Sequence, residues 1–92
     1  MNKTNYKAYN SLKRDEAYKT GIRYGNIAIS RWLKTKNPKD STAKYLFDKN
    51  KYYQEKMFTA MSKCNSLESE FYRGKADAYG YPLHNKGKRL KR

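Results

Sequence analysis

Side chains able to make or break bonds are few in this chain. It has one cysteine, Cys64, and one histidine, His84. The carboxylates are Asp15, Glu16, Asp40, Asp48, Glu55, Glu68, Glu70 and Asp77. Nucleophilic catalysis needs an activating base beside the nucleophile, and a metal centre needs several His, Cys or carboxylate ligands at set spacings. Asp48 and Glu55 stand seven residues apart, as do Glu70 and Asp77. Pairs at that interval fit solvated helix faces laced with lysine better than a metal site. No glycine-rich phosphate loop occurs. The expectation is a protein that is not an enzyme, with no catalytic residue, metal or other cofactor. Cys64 falls on an apolar stripe and reads as a small core residue. A single cysteine leaves no disulfide framework.

The chemistry that remains is that of cations. Twenty-two Lys and Arg oppose eight Asp and Glu, a formal charge of +14. The charge is uneven. Residues 1–39 carry ten basic and two acidic side chains, residues 40–80 seven and six, and residues 81–92 five and none. A charge that served solubility alone would have no reason to neutralise the middle, so the pattern reads as a scaffold flanked by two contact regions. Concentrated positive charge attracts polyanions through long-range fields. The partner expected is nucleic acid, DNA or RNA, or a ribonucleoprotein. The start, Met-Asn-Lys-Thr-Asn, leads into no apolar run. Neither a signal peptide nor a membrane span or membrane partner is expected, and a reducing cytoplasm is the expected compartment.

Two groups of residues are candidates for the contact. In the first third, Tyr18, Ile22, Gly25, Ile29 and Trp32 share one helical face, while Lys19, Arg23, Arg31 and Lys34 lie on the other side with Ile27. Tyr24, Asn26 and Lys36 join these cations as candidate nucleic-acid contacts. At the other end, Lys86, Lys88, Arg89, Lys91 and Arg92 can neutralise phosphates and release counterions without sequence preference. Ten tyrosines are interleaved with the cations. They either stack on exposed bases or stand in for scarce aliphatics on half-buried helix faces.

The elements that must position these residues read as helices. Val is absent and Leu, Ile, Met, Phe and Trp total only 16, which argues against a sheet and for a modest core. The fold class expected is all-α: a small domain of two to four helices over residues 1–80, arranged as a helical hairpin with a long second helix. A disordered basic tail over residues 81–92 follows it. The first helical region is expected over residues 5–34, with a break near Gly21. Pro38 ends it, and Asp40, Ser41 or Thr42 caps the next. The second is expected over residues 41–79. Its Leu46, Asn50, Tyr53, Met57, Ala60, Cys64, Leu67, Phe71, Gly74 and Ala78 recur at alternating steps of four and three. That seam packs against the first helix or pairs two chains as a homo-oligomer. Asn65-Ser66-Leu67-Glu68 reads as a capping box that breaks this helix near Cys64. Gly80-Tyr81-Pro82 reads as its end.

Within Ala17-Tyr18-Lys19-Thr20-Gly21-Ile22-Arg23-Tyr24-Gly25-Asn26-Ile27, residues Ala17, Gly21, Ile22 and Ile27 have helix-turn-helix spacing. The stretch resembles the helix-turn-helix of tetracycline-repressor-type regulators. The resemblance implies a recognition helix over residues 23–34, offering Arg23, Tyr24, Asn26 and Arg31 to the major groove. The same residues also read as a small-residue stripe, Ala17-Gly21-Gly25, against which another helix packs closely. Ala17-x3-Gly21-x3-Gly25 together with Phe71-x2-Gly74-x3-Ala78 is faintly similar to ribosome modulation factors, which implies a ribosomal partner. The function expected is a small basic nucleic-acid-binding protein of phage or bacterial regulatory type. The alternatives are a phage-type inhibitor of a nucleic-acid-handling enzyme, of the anti-restriction or anti-CRISPR class, and a ribosome-associated factor.

Overall fold

The computed structural model describes residues 3–91, with side chains from Lys13 to Lys91. Tyr6, Tyr9 and Leu12 have side chains outside that range, and Arg92 lies outside it altogether. Among the described residues the chain forms three α-helices and no strand: α1 (Lys3–Thr35), α2 (Thr42–Ser62) and α3 (Ser66–His84).

The helix boundaries follow local chemistry. After α1 the amide of Lys36 still bonds the Trp32 carbonyl at 2.8 Å, and Pro38 then prevents continuation. The Asp40 carboxylate accepts from the Asn37 amide at 3.2 Å and closes the turn. Ser41 is the N-cap of α2, its hydroxyl accepting from the Lys44 amide at 3.2 Å. At the far end of α2 the Asn65 amide bonds the Ala60 carbonyl and the Cys64 amide bonds the Met61 carbonyl, both at 3.0 Å. That pair is a Schellman closure with Cys64 in the left-handed position, at φ 58°. Asn65 then caps α3: its side-chain oxygen accepts from the Glu68 amide at 3.0 Å, and its amide nitrogen donates to the Glu68 carboxylate at 2.9 Å.

The break near Cys64 therefore divides the expected long second helix into two. Cys64 itself is exposed in the turn, which corrects its reading as a core residue. The four-three seam is split at the same place. Leu46 and Ala60 of α2 and Gly74 and Ala78 of α3 are all buried within the chain.

α3 is the central layer, with α1 on one flank and α2 on the other. Along α1, Gly21 lies against Phe71 and Gly74, Gly25 against Ala78, and Ile29 against Tyr79, so α1 and α3 run parallel. Along α2, Leu46 meets Tyr79, and the Asn50 amide donates to the Ala76 carbonyl at 2.7 Å, so α2 runs antiparallel to α3. The α1–α3 crossing is backbone against backbone. A Cβ added to Gly21 would run into the Phe71 carbonyl, and one on Gly74 into that of Tyr18. No turn forms at Gly21: α1 is continuous, and the glycine serves approach and not reversal. The small-residue stripe is the reading that describes this segment. The helix-turn-helix geometry does not.

Two apolar clusters hold the layers. One joins Tyr18, Ile22 and Ala78; the other joins Ile29, Leu46 and Tyr79, flanked by Ala28, Tyr45, Tyr53 and Leu83. Full burial of an Ile or Leu side chain contributes about 1.5–3 kcal/mol. Aromatic rings supply what aliphatics do not. Trp32 stacks on Tyr45 at 3.9 Å, Tyr45 meets Tyr79 edge-on at 5.9 Å, and Tyr79 stacks on Tyr53 at 5.6 Å. The Tyr79 phenol is raised well above its ordinary value, chiefly by burial and then by its hydrogen bond with Tyr45. Tyr18, Tyr45, Tyr53, Tyr72 and Tyr79 are thus buried or half-buried packing residues.

The helix expected to stop at Gly80 runs on to His84, with Pro82 buried inside its last turn. Gly80 is not a terminal cap. It admits α2, since a Cβ there would lie 2.7 Å from the side-chain nitrogen of Asn50. After Asn85 the chain reverses, with Lys86 and Gly87 both at positive φ, and residues 88–91 return to α1.

Candidate nucleic-acid interface

The returning segment is held by three contacts on adjacent turns of α1. The Asn26 amide nitrogen donates to the Leu90 carbonyl at 2.9 Å. The Arg89 guanidinium donates to the Asn26 carbonyl at 3.2 Å and, in a short bond, to the Ser30 hydroxyl. Leu90 covers the cluster of Tyr18, Ile22 and Ala78. The chemistry is legible locally. Leu90 is the one apolar side chain after Leu83, and Asn26 and Ser30 stand one turn apart on the flank of α1 beside Ile22. Residues 88–91 accordingly have a docked course, which differs from the free tail expected there.

Docking changes what the expected contact residues can do. Lys19, Arg23, Arg31 and Lys34 are exposed on α1, with Ile27 among them. Lys91 joins Lys19, Arg23, Asn26 and Leu90 around one shallow notch of about 250 Å³. Lys19 also pairs with Asp15 at 3.0 Å, both side chains being about half exposed, so this pair contributes little to stability. Lys86 and Lys88 are exposed on the reversal.

Four of the expected contacts are engaged differently. Asn26 and Arg89 hold the tail and do not face outward as readers. Lys36 lies over the Trp32 ring at 5.7 Å and donates to the Asp40 carbonyl at 3.1 Å, which places it in the α1–α2 connection. Tyr24 is exposed but meets Phe71 edge-on at 5.9 Å, on the side of α1 that faces α3.

A second feature was not expected from the sequence. On one side of α3 an open cleft of about 550 Å³ is walled by Phe47, Asn50 and Gln54 of α2 and by Asp77, Tyr81 and His84 of α3. Tyr18 and Leu90 close its far edge. The Tyr18 hydroxyl donates to the Asp77 carboxylate at 2.6 Å. Arg73, one turn before Asp77, instead lies over the Tyr18 ring at 5.2 Å and pairs with Glu70 at 3.4 Å. A pairing between Tyr18 and Asp77, 59 residues apart, has no signal in local spacing.

Among the described residues no three of His, Cys, Asp and Glu are grouped to hold a metal ion, and no helix is long and apolar enough to cross a membrane. No protein-family model, curated protein or solved structure matches the chain.

Proposed function

We propose that the protein binds nucleic acid through one basic surface built jointly by α1 and the returning C-terminal segment. The observation that carries this reading is the docking of Arg89 and Leu90 on α1, which sets Lys91 beside Lys19 and Arg23. Two cationic regions separated by the whole length of the chain thereby act on one ligand. Arg31 and Lys34 extend the same exposed side of α1, and Lys88 lies at the start of the docked segment. Such a surface tracks a phosphate backbone. The affinity comes from counterion release and carries little sequence preference of its own. The recognition-helix mode is not part of the proposal, because α1 is one uninterrupted rod.

The test is fluorescence anisotropy with labelled single-stranded and duplex oligonucleotides over a salt series. A surface making about six to ten phosphate contacts loses roughly 10³–10⁵ in affinity between 50 and 200 mM salt. The triple variant Lys19→Glu, Arg23→Glu, Lys91→Glu lowers affinity and flattens the salt slope by about one unit for each phosphate that is no longer neutralised. A flat response, or no binding in dilute buffer, overturns the proposal and transfers the basic surface to an acidic protein partner.

A further inference from the structure

We propose that the cleft beside Asp77 is a nucleobase pocket selective for guanine, receiving a base splayed from a single strand whose phosphates lie on the basic surface; the inference rests on the nucleic-acid reading above. Three observations carry it.

The first is an available carboxylate. Asp77 is half-buried in the cleft wall, and its one hydrogen bond among the described residues comes from the Tyr18 hydroxyl. No described lysine or arginine forms an ion pair with it, in a chain of net charge +14. A carboxylate has about four acceptor positions, so the bond from Tyr18 leaves it able to accept a further pair of donors while fixing its orientation.

The second is the form of the cleft. Phe47 is 59% exposed and Tyr81 37%, and both border it. Its volume of about 550 Å³ falls within the ~300–1,000 Å³ of small-ligand pockets. Aromatic side chains beside a polar group are what unstacked bases use: a π face for stacking and an edge partner for identity. His84 lies in the same cleft and can donate a ring N–H to a carbonyl oxygen.

The third is juxtaposition. Leu90 borders both the cleft and the notch of Lys19, Arg23 and Lys91. A strand crossing the docked segment can keep phosphates on one side of Leu90 and turn a base into the other.

Guanine is the base whose Watson–Crick edge presents two adjacent donors, the ring N1–H and the exocyclic amino group. These match the two oxygens of one carboxylate, as a guanidinium does. Adenine and cytosine place a donor beside an acceptor, and thymine and uracil flank their single N–H with carbonyl oxygens. An arginine side chain offers the same paired donors, but it carries a positive charge into a field that repels it. The neutral base does not.

The probes are GMP, IMP (which lacks the exocyclic amino group) and AMP, titrated into the full-length protein and followed by NMR. A second set comprises thymidine 12-mers carrying one central guanine, hypoxanthine or adenine. The expected result is affinity in the order guanine, hypoxanthine, adenine, with the outer two differing by about fivefold to a hundredfold, and shifts at Phe47, Tyr81 and Asp77. Asp77→Asn abolishes the order in both sets and leaves the salt dependence of the 12-mers unchanged. Phe47→Ala, an exposed position that folding tolerates, weakens all three nucleotides together. Equal binding of the three bases, or shifts produced by arginine amide and not by GMP, overturns the pocket. The salt response of the 12-mers reports separately on the basic surface: a guanine order in the nucleotides with no salt-dependent strand binding overturns the surface and keeps the pocket.

Discussion

Gly21 of α1 and Gly74 of α3 lie across from each other, and the backbone of each opposing helix occupies the place where their Cβ atoms would stand. Both the cleft and the basic surface depend on this crossing, because it brings Tyr18 over Asp77 and leaves the flank of α1 beside Ile22 open for the returning segment. An exposed helical glycine replaced by alanine gains about 1 kcal/mol from helix propensity. At this crossing the added methyl meets main-chain carbonyls that have no freedom to turn away. Gly21→Ala and Gly74→Ala are each expected to destabilise the fold by about 1–3 kcal/mol. Urea unfolding followed by circular dichroism checks the sign: a gain in stability would mean that the helices do not cross here.

Cys64 carries a side chain at a left-handed position that glycine fills without strain. Because the side chain is exposed, Cys64→Gly loses little packing. The variant is expected to be more stable by about 0.5–1 kcal/mol. In a chain of this size that raises the melting temperature by about 2–8 °C. A lower melting temperature would show that the thiol has a packing role.

Leu90 is the apolar anchor of a segment otherwise made of cations. Leu90→Gln keeps the net charge at +14 but removes the cover over Tyr18 and Ile22. Oligonucleotide affinity should fall severalfold at constant charge, with helicity retained. Removal of residues 86–92 lowers affinity further, since five cations leave with the anchor. If Leu90→Gln binds like the unaltered chain, docking does not shape the surface and the charges act independently.

Tyr79 is 2% exposed, and its phenol titrates above the ordinary value of 10.0. The unfolded chain loses this proton first as pH rises. The stabilisation is therefore fully present below pH ~10 and declines as pH climbs from there toward the folded value. In a titration at 295 nm, Tyr79 should ionise above the ordinary value of 10.0, together with loss of helicity. Tyr79→Phe should flatten the fall of stability above pH ~10.

Punctuation was legible wherever one short stretch held the whole mechanism. Pro38 with Asp40 and Ser41 marks the first connection, and Asn65 with Glu68 marks the second, because caps and turns are made by side chains within three or four residues of the backbone they satisfy. The same local logic misplaced Gly21 and Gly80. A glycine is suited both to reversing a chain and to admitting a neighbouring backbone, and only the neighbour decides which use applies. Cys64 and Leu67 matched the four-three seam but lie past the end of α2 or in the first turn of α3, where the spacing no longer refers to one helix. The exposed cations of α1 were visible as the polar side of an amphipathic pattern. Their meeting with Lys91 was not.

What the sequence determined alone is the helical class, the caps and the segregation of charge to the two ends, since each depends on composition or on neighbours a few residues away. Tertiary structure decided that α1 is a single rod, that the C-terminal segment returns to it through Asn26, Ser30 and Leu90, and that Tyr18 orients Asp77 in a cleft. Those pairings join residues about 60 positions apart. Their register is set by how closely two helices approach at Gly21 and Gly74, a steric property of the assembled layers that no segment possesses by itself.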